Sequence, residues 1–403
     1  MTYLVTGAAG FIGANFLKYI LGKHSDCKVV ILDKLTYAGN LGTIKDDLKD
    51  SRVTFYKGDI CNQELIENIF MNHDIDTVVN FAAESHVDRS IEDPGIFLKT
   101  NIIGTQTLMD VAKAHWTNGK DSAGYPTFIP GKKFLQVSTD EVYGDLEKDL
   151  PDGVTLEATN EYLEKVLTGR SVKPKAFGSK FFTEDTPLRP RSPYATSKTG
   201  ADMLVRAYAE TYHFPVNVTR CSNNYGPYHF PEKLIPLIIK NILTGVKLPV
   251  YGDGKQVRDW LYVDDHCKGI DMVISGGKLG EAYNIGGFNE ELNINIVKQT
   301  IDIVRDLVFE NEVVRSEYAD FVTVSFDSCN YELITYVQDR LGHDARYAID
   351  PTKTVKELGF YPETPFTEGI KKTIQWYLDN QDWVNEVTSG DYQKYYEEMY
   401  GNR

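Results

Sequence analysis

Basic residues are in short supply. The 403 residues carry 43 Lys and Arg against 58 Asp and Glu, a net charge of −15. Bulk attraction to nucleic acid is therefore excluded. An anionic small molecule is not, because a local cluster of cations and backbone N–H groups binds phosphate within an acidic protein. Cysteine is scarce too. The five are Cys27, Cys61, Cys221, Cys267 and Cys329. Their number is odd and none form a C-x-x-C pair, which argues against a disulfide framework or a zinc site and suits a reducing compartment. The eight histidines are scattered, without the spacing of a metal site, so no metal is expected. There is no internal repeat and no apolar run of about 18 residues, so no transmembrane helix is expected. The start, Met1-Thr2-Tyr3-Leu4-Val5, lacks a basic segment followed by an apolar one. No signal peptide is expected, and the chain reads as cytoplasmic.

What is present reads as a large α/β protein. Apolar content of 42% and charged content of 25% are ordinary for a globular chain. Tyr3-Leu4-Val5 is a short strand. Gly7-Ala8-Ala9-Gly10-Phe11-Ile12-Gly13 follows, then a helical pattern through Phe16, Leu17, Ile20 and Leu21. A second strand, Val29-Val30-Ile31-Leu32, ends in Asp33. A glycine turn between strand and helix, with an acid after the next strand, is the context of a dinucleotide site. Gly7 permits the turn, Gly10 admits a pyrophosphate, and Gly13 lets the helix pack on the sheet. The helix N-terminus faces the phosphates. Asp33 would accept from the adenosine ribose and repel a 2′-phosphate, which favours NAD over NADP.

The alternation continues through strands at 53–56 and 77–81 and helices at about 65–70 and 97–115. Strands alternating with helices predict a Rossmann-type, doubly wound parallel sheet. A strand at 134–137 runs into Ser138-Thr139-Asp140-Glu141-Val142-Tyr143-Gly144. An Asp-Glu pair is by itself more often a solvated turn, but ligands of such sheets lie at the carboxyl ends of strands. Residues 145–185 interrupt the rhythm. They read as a surface insertion rather than a lid, with a short helical piece near 161–167. Ser192 and Pro193 open a helix to about Tyr212 as N-cap and first helical residue. Tyr194 and Lys198 share one face of it.

After about residue 220 the rhythm weakens. The sequence divides into a NAD-binding domain over 1–220, to which 255–286 returns, and a smaller mixed α/β C-terminal substrate lobe over 221–254 and 287–403. A tyrosine has a pKa of about 10, and a neighbouring ammonium favours its phenolate. Tyr194 could then take a proton from a sugar hydroxyl while hydride leaves the same carbon. Thr139 lies where its hydroxyl could share that hydrogen bond.

The glycine fingerprint together with Tyr194-x-x-x-Lys198 resembles the extended short-chain dehydrogenase/reductase family, over residue 1 to about 380 apart from 145–185 and a stretch around 308–335. Within it, Asp33-Lys34-Leu35-Thr36-Tyr37-Ala38-Gly39-Asn40, Ala82-Ala83-Glu84-Ser85-His86-Val87-Asp88-Arg89-Ser90, the block Ser138–Gly144 and Asn223-Asn224-Tyr225-Gly226-Pro227 are similar to the 4,6-dehydratases that act on dTDP-glucose. Pro231-Glu232-Lys233-Leu234-Ile235-Pro236 is similar as well. The acidic pair is not expected in the related epimerases.

The resemblance implies a hydro-lyase at the first committed step toward deoxysugars such as rhamnose. It oxidises carbon 4, eliminates water across carbons 5 and 6 and returns hydride to carbon 6. Glu141 is implied as general base, Asp140 as general acid, and Thr139, Tyr194 and Lys198 as the remaining catalytic residues. For NAD it implies Gly7, Gly10, Phe11, Ile12, Gly13, Asp33, Lys34, Thr36, Asp59 and Ile60, then Ala82, Ala83, Ser85, Thr100, Ser138, Tyr194, Lys198 and Asn223. For the nucleotide sugar it implies Ser85, His86, Thr139, Asn224, Glu232, Lys233, Arg258, position 294, Arg340 and His343. Leu341 stands where the family has a proline. The helices at 97–115 and 194–212 imply a homodimer. The alternatives are a nucleotide-sugar 4-epimerase, a 4,6-dehydratase for another nucleotide, and a non-catalytic NAD-sensing protein. The last should lack a proton-transfer pair.

Overall fold

The computed structural model describes residues 1–146, 175–309, 316, 318, 320–340 and 342–388. Its centre is a seven-stranded parallel sheet. In chain order the strands are β1 (Thr2–Thr6), β2 (Lys28–Asp33), β3 (Val53–Lys57), β4 (Thr77–Asn80), β5 (Lys133–Thr139) and β6 (Val216–Cys221). After β7 (Asn223–Tyr225) and β8 (Val257–Tyr262), which lie elsewhere, β9 (Ala282–Ile285) completes it. The spatial order is β9-β6-β5-β4-β1-β2-β3. The winding reverses at β1, where Val5 pairs with Ile31 on one side and Val79 on the other. That reversal opens a crevice at the carboxyl ends of β1 and β4.

Successive side chains of a strand point to opposite faces, and both faces here are covered. Val5, Ile31, Val79 and Leu135 pack under α1 (Phe11–Lys23) and the helix Val263–Gly276. Leu4, Val30, Val78 and Phe134 pack under the helices Gln63–Asn72 and α2 (Thr105–Trp116) and against α3 (Pro193–Tyr212). Double burial is why these strands read as continuous apolar runs.

A third core lies beside the sheet. Ile235 and Ile239 of α4 (Leu234–Thr244) meet Ile296 and Ile301 of the helix Asn293–Phe309 and Ile370 and Ile374 of Phe366–Asp379. This core is tied back to the glycine turn. Phe11 stacks on His229 with ring centroids 4.1 Å apart, and Asn15 donates to the Pro227 carbonyl at 2.9 Å. Far along the chain, Trp383 donates to Thr43 Oγ1 at 3.0 Å.

The structure differs from the sequence reading in two places. The return of 255–286 to the large sheet is made by β9 and by the helix Val263–Gly276. β8 instead pairs with β7 and with β10 (Glu290–Leu292) in a three-stranded sheet. An apolar strand carries no mark of which sheet will accept its hydrogen bonds. The helix at 97–115 is composite, with a π-helical turn at Leu98–Gly104 before α2. Its buried Asn101 bonds both backbone groups of Glu84 and the Ser197 hydroxyl. Of the insertion, 147–174 with the helical piece near 161–167 lies outside the described residues. Its margins are hydrogen-bonded to the body, Leu146 to Arg346 at 3.1 Å and Phe182 to Ala348 at 2.9 Å. No helix among the described residues is long and apolar enough to cross a membrane.

Candidate active site

At the end of β5 the backbone leaves the strand and forms a single 3-10 turn, Asp140–Tyr143. Thr139 caps it, its hydroxyl accepting from the Glu141 N–H at 3.3 Å. This turn allows adjacent carboxylates to line one cavity. Asp140 is 2% exposed, so the solvated-turn reading does not hold. Thr139 donates to Asp140 Oδ1 at 3.2 Å, while Oδ2 has no hydrogen-bond partner among the described residues. Burial, reinforced by the charge of Glu141, pushes the Asp140 pKa well above the usual carboxylate range. Burial also raises Glu141, but Arg258, Arg340 and Lys233 oppose the rise. Both carboxyls are raised, Asp140 the more, and unequal environments separate the protonation behaviour of adjacent acids.

The helix α3 supplies the third group. Ser192 accepts from the Ala195 N–H at 3.0 Å as its N-cap, and Pro193 is the first helical residue. The Tyr194 N–H, left over at the helix start, donates to Ser90 Oγ at 3.1 Å. The Tyr194 phenol lies at the cavity and contacts the Thr139 hydroxyl. Lys198, one turn on, donates to the Val137 carbonyl at 2.7 Å. Burial lowers the Lys198 pKa to about 8. The expected lowering of Tyr194 by Lys198 is absent. Burial and the charges of Glu141, Cys221 and Asp140 hold the phenol well above its ordinary value, because desolvation of a phenolate outweighs one ammonium that is itself desolvated.

The other end of the cavity is built mainly from backbone. A Cβ on Gly7 would lie 2.7 Å from the Ala82 nitrogen, and one on Gly13 would lie 2.3 Å from the Gly7 carbonyl oxygen. A Cβ on Gly10 would meet nothing nearer than 3.4 Å. Gly7 and Gly13 are thus packing requirements, and Gly10 leaves room. No side chain caps α1, whose first residues, Phe11, Ile12 and Gly13, line the cavity. Asp33 accepts from the Ala9 and Leu35 N–H groups at 2.9 and 2.8 Å. A carboxylate so held retains acceptor capacity for ribose hydroxyls. Lys34 pairs with Asp59 at 2.9 Å beside it. An open helix N-terminus, a close-packed glycine turn and a fixed carboxylate fit the diphosphate and adenosine ribose of NAD.

All these groups line one cavity of about 470 Å³. It also takes in Thr36, Ile60, Ala82, Ala83, Ser85, His86, Thr100, Ser138 and Asn223. Asn224, Glu232, Lys233, Arg258, Arg340 and His343 line it too. Position 294 does not. It is Ile294, buried in the third core, and the neighbouring Asn293 lines the cavity instead. A step of one residue turns a side chain by about 100° around a helix.

The cations at the far end are held in different ways. Lys233 donates to the Ser85 carbonyl at 3.0 Å. Arg258 donates to the Val257 and Asp344 carbonyls and lies over the Tyr347 ring at 4.2 Å. His343 Nδ1 is 2.7 Å from Asp339, and burial lowers its pKa to about 4. Arg340 is bound by Asp88 through two bonds of 2.7 and 2.9 Å. Asp88, Tyr251, Gln256, His229 and Tyr347 line the cavity without having been singled out in the sequence. Asp88 does lie inside a family-like block and His229 falls between two of them, which was the signal available.

The model for the NAD dependent epimerase/dehydratase family matches residues 3–286. A dTDP-glucose 4,6-dehydratase of Salmonella typhimurium is 45% identical over 404 residues, covering 100% of each chain. The crystal structure of dTDP-glucose 4,6-dehydratase from Bacillus anthracis in complex with NAD is similar with a TM-score of 0.75 and 41% identity. It covers 96% of this chain and 99% of its own. The Streptomyces venezuelae enzyme of that name, with NAD and dTDP bound, gives 0.74 and 37%, over 96% of this chain and 100% of its own.

Proposed function

The chain belongs to the NAD dependent epimerase/dehydratase family, and within it we propose that it dehydrates dTDP-glucose to dTDP-4-keto-6-deoxyglucose with NAD as cofactor. The observation that carries this reading is the acidic pair on one turn beside Tyr194, with burial raising Asp140 and three cations opposing the rise at Glu141. An oxidation alone needs only the tyrosine. Elimination of water needs an acid and a base together.

Tyr194 takes the proton of the carbon-4 hydroxyl, and Thr139 shares that hydrogen bond. The resulting ketone acidifies the proton on carbon 5. Glu141, kept ionisable by its cations, removes it. Asp140, kept protonated by burial, gives its proton to the hydroxyl leaving carbon 6. Lys198 anchors the tyrosine end of the site and holds the nicotinamide ribose. NAD supplies the hydride acceptor and donor of the cycle and, when oxidised, a positive charge that favours the Tyr194 phenolate. Gly7, Gly10, Gly13 and Asp33 hold its diphosphate and adenosine ribose. Lys233, Arg258, Arg340 and His343 take the diphosphate of the substrate.

Incubation with dTDP-, UDP-, CDP- and GDP-sugars, read by mass spectrometry, tests the reading. Loss of one water from dTDP-glucose is expected. Unchanged mass with an altered sugar configuration would favour the epimerase alternative. The assembly is a homodimer in the cytoplasm. Leu98, Ile103 and Met203 support the dimer as exposed apolar residues on the helical faces at 98–116 and 193–212. The separation of the cores supports the domain division at about residue 220. The two faces of the large sheet form one unit, and the third core forms the substrate lobe.

A further inference from the structure

A six-residue helix, Val87–Glu92, touches more of the site than its length implies. Its Ser90 hydroxyl accepts from the Tyr194 N–H. Arg89 lies 3.5 Å from Glu232 and over the Tyr37 ring at 3.8 Å. Asp88 reaches across the crevice to Arg340, 252 residues later in the chain. The Asp88–Arg340 bonds run Nε to Oδ1 and Nη2 to Oδ2, a bidentate pair. They use one edge of the guanidinium, so a second acceptor on the Nη1 side is geometrically compatible. Asp88 is 8% exposed, and Tyr251 supports the pair, its ring 5.0 Å from the guanidinium carbon and its hydroxyl 3.5 Å from Oδ2.

Arg340 lies beyond the strand Ile334–Val337, outside helix and strand. A long side chain on such a segment loses rotamer freedom when it grips a ligand, and this loss weakens binding. Here the loss is met at folding, because Asp88 and Tyr251 already fix the plane of the guanidinium. Building on the reading of the site as a dTDP-sugar site, we propose that Asp88 is a positioning residue that holds Arg340 in the orientation that receives the substrate diphosphate. Through Ser90, the same short helix links that grip to the helix bearing Tyr194.

Asp88→Asn and Asp88→Glu in the NAD-loaded full chain test this, alone and in an Arg340→Lys background. Calorimetry gives the affinity for dTDP, and steady-state kinetics give KM and kcat for dTDP-glucose. Asp88→Asn is expected to weaken dTDP and raise KM by roughly tenfold, with a smaller fall in kcat, since the group acts through another rather than on the ligand. Asp88→Glu should recover most of the affinity. In the Arg340→Lys background Asp88→Asn should add less than about twofold, as for residues acting as a unit. Unchanged affinity, tighter dTDP binding or full multiplication of the two effects would overturn the proposal. Tighter binding would make Asp88 a competitor of the diphosphate. If Asp88→Asn loses NAD, Asp88→Glu with Arg340→Lys decides by the same non-additivity. If the unaltered protein binds no dTDP, the functional reading fails instead.

Discussion

The two ends of the cavity are made of different material. The cofactor end is mostly main chain: a glycine turn, an open helix N-terminus and one carboxylate fixed by two N–H groups. These parts are contained within the first 35 residues. The far end is side chains, with Lys233, Arg258 and Arg340 arriving from separate segments and each held by a partner of its own. A backbone cradle is set by local geometry and tolerates no added atom at Gly7 or Gly13. A side-chain cradle is set by long-range packing and can be retuned one residue at a time. The acidic pair stands where the two meet.

Three changes sharpen that contrast, beginning with the largest. Glu141→Gln removes the base without altering either cradle. Reduction of bound NAD by substrate should survive, while elimination slows by roughly 10²–10⁴-fold. Rapid-mixing absorbance of NADH would then show the reduced cofactor accumulating, and a wild-type rate of dehydration would exclude Glu141 as the base. Gly13→Ala strikes the main-chain end, where its Cβ would lie 2.3 Å from the Gly7 carbonyl oxygen. Overpacking of this kind costs about 1–3 kcal/mol. NAD content and the unfolding midpoint should both fall, with dTDP affinity little changed.

The smallest effect concerns pH. Lys198 titrates near 8 in the folded chain, below its ordinary 10.5. Its ammonium is lost as pH rises through about 8, and activity should fall along that limb. Lys198→Arg, which stays charged, should move the limb upward in a pH profile of kcat/KM. The stability term has the opposite sign. Between about 8 and 10.5 the unfolded chain binds the extra proton, so this lysine's contribution to stability rises with pH across that window.

How much of this was legible follows from the same division. Gly7, Gly10, Gly13 and Asp33 could be read because their roles are local and their spacing is fixed by one turn and one helix. Tyr194 and Lys198 could be read because four residues make one helical turn. Position 294 could not be resolved from Asn293, since neighbours on a helix face different surroundings and the choice belongs to tertiary packing. β8 left the large sheet for a small one with no change in the look of its sequence. Tyr194 keeps its proton more firmly than its spacing from Lys198 implied, because burial is a property of the assembled site. The Asp88–Arg340 pair spans 252 residues, and no pattern within either segment announces the other.

The bond from Trp383 to Thr43 joins segments made at opposite ends of synthesis. The glycine turn and Asp33 leave the ribosome early, and domains fold as units while the chain emerges. The short helix Leu41–Ile44, a few residues beyond Asp33, gains its indole support only 340 residues later. This helix, encoded early, is therefore among the last parts to gain its full set of contacts. A ribosome that stalls before residue 383 leaves a sheet with its glycine turn in place but without the support of Trp383.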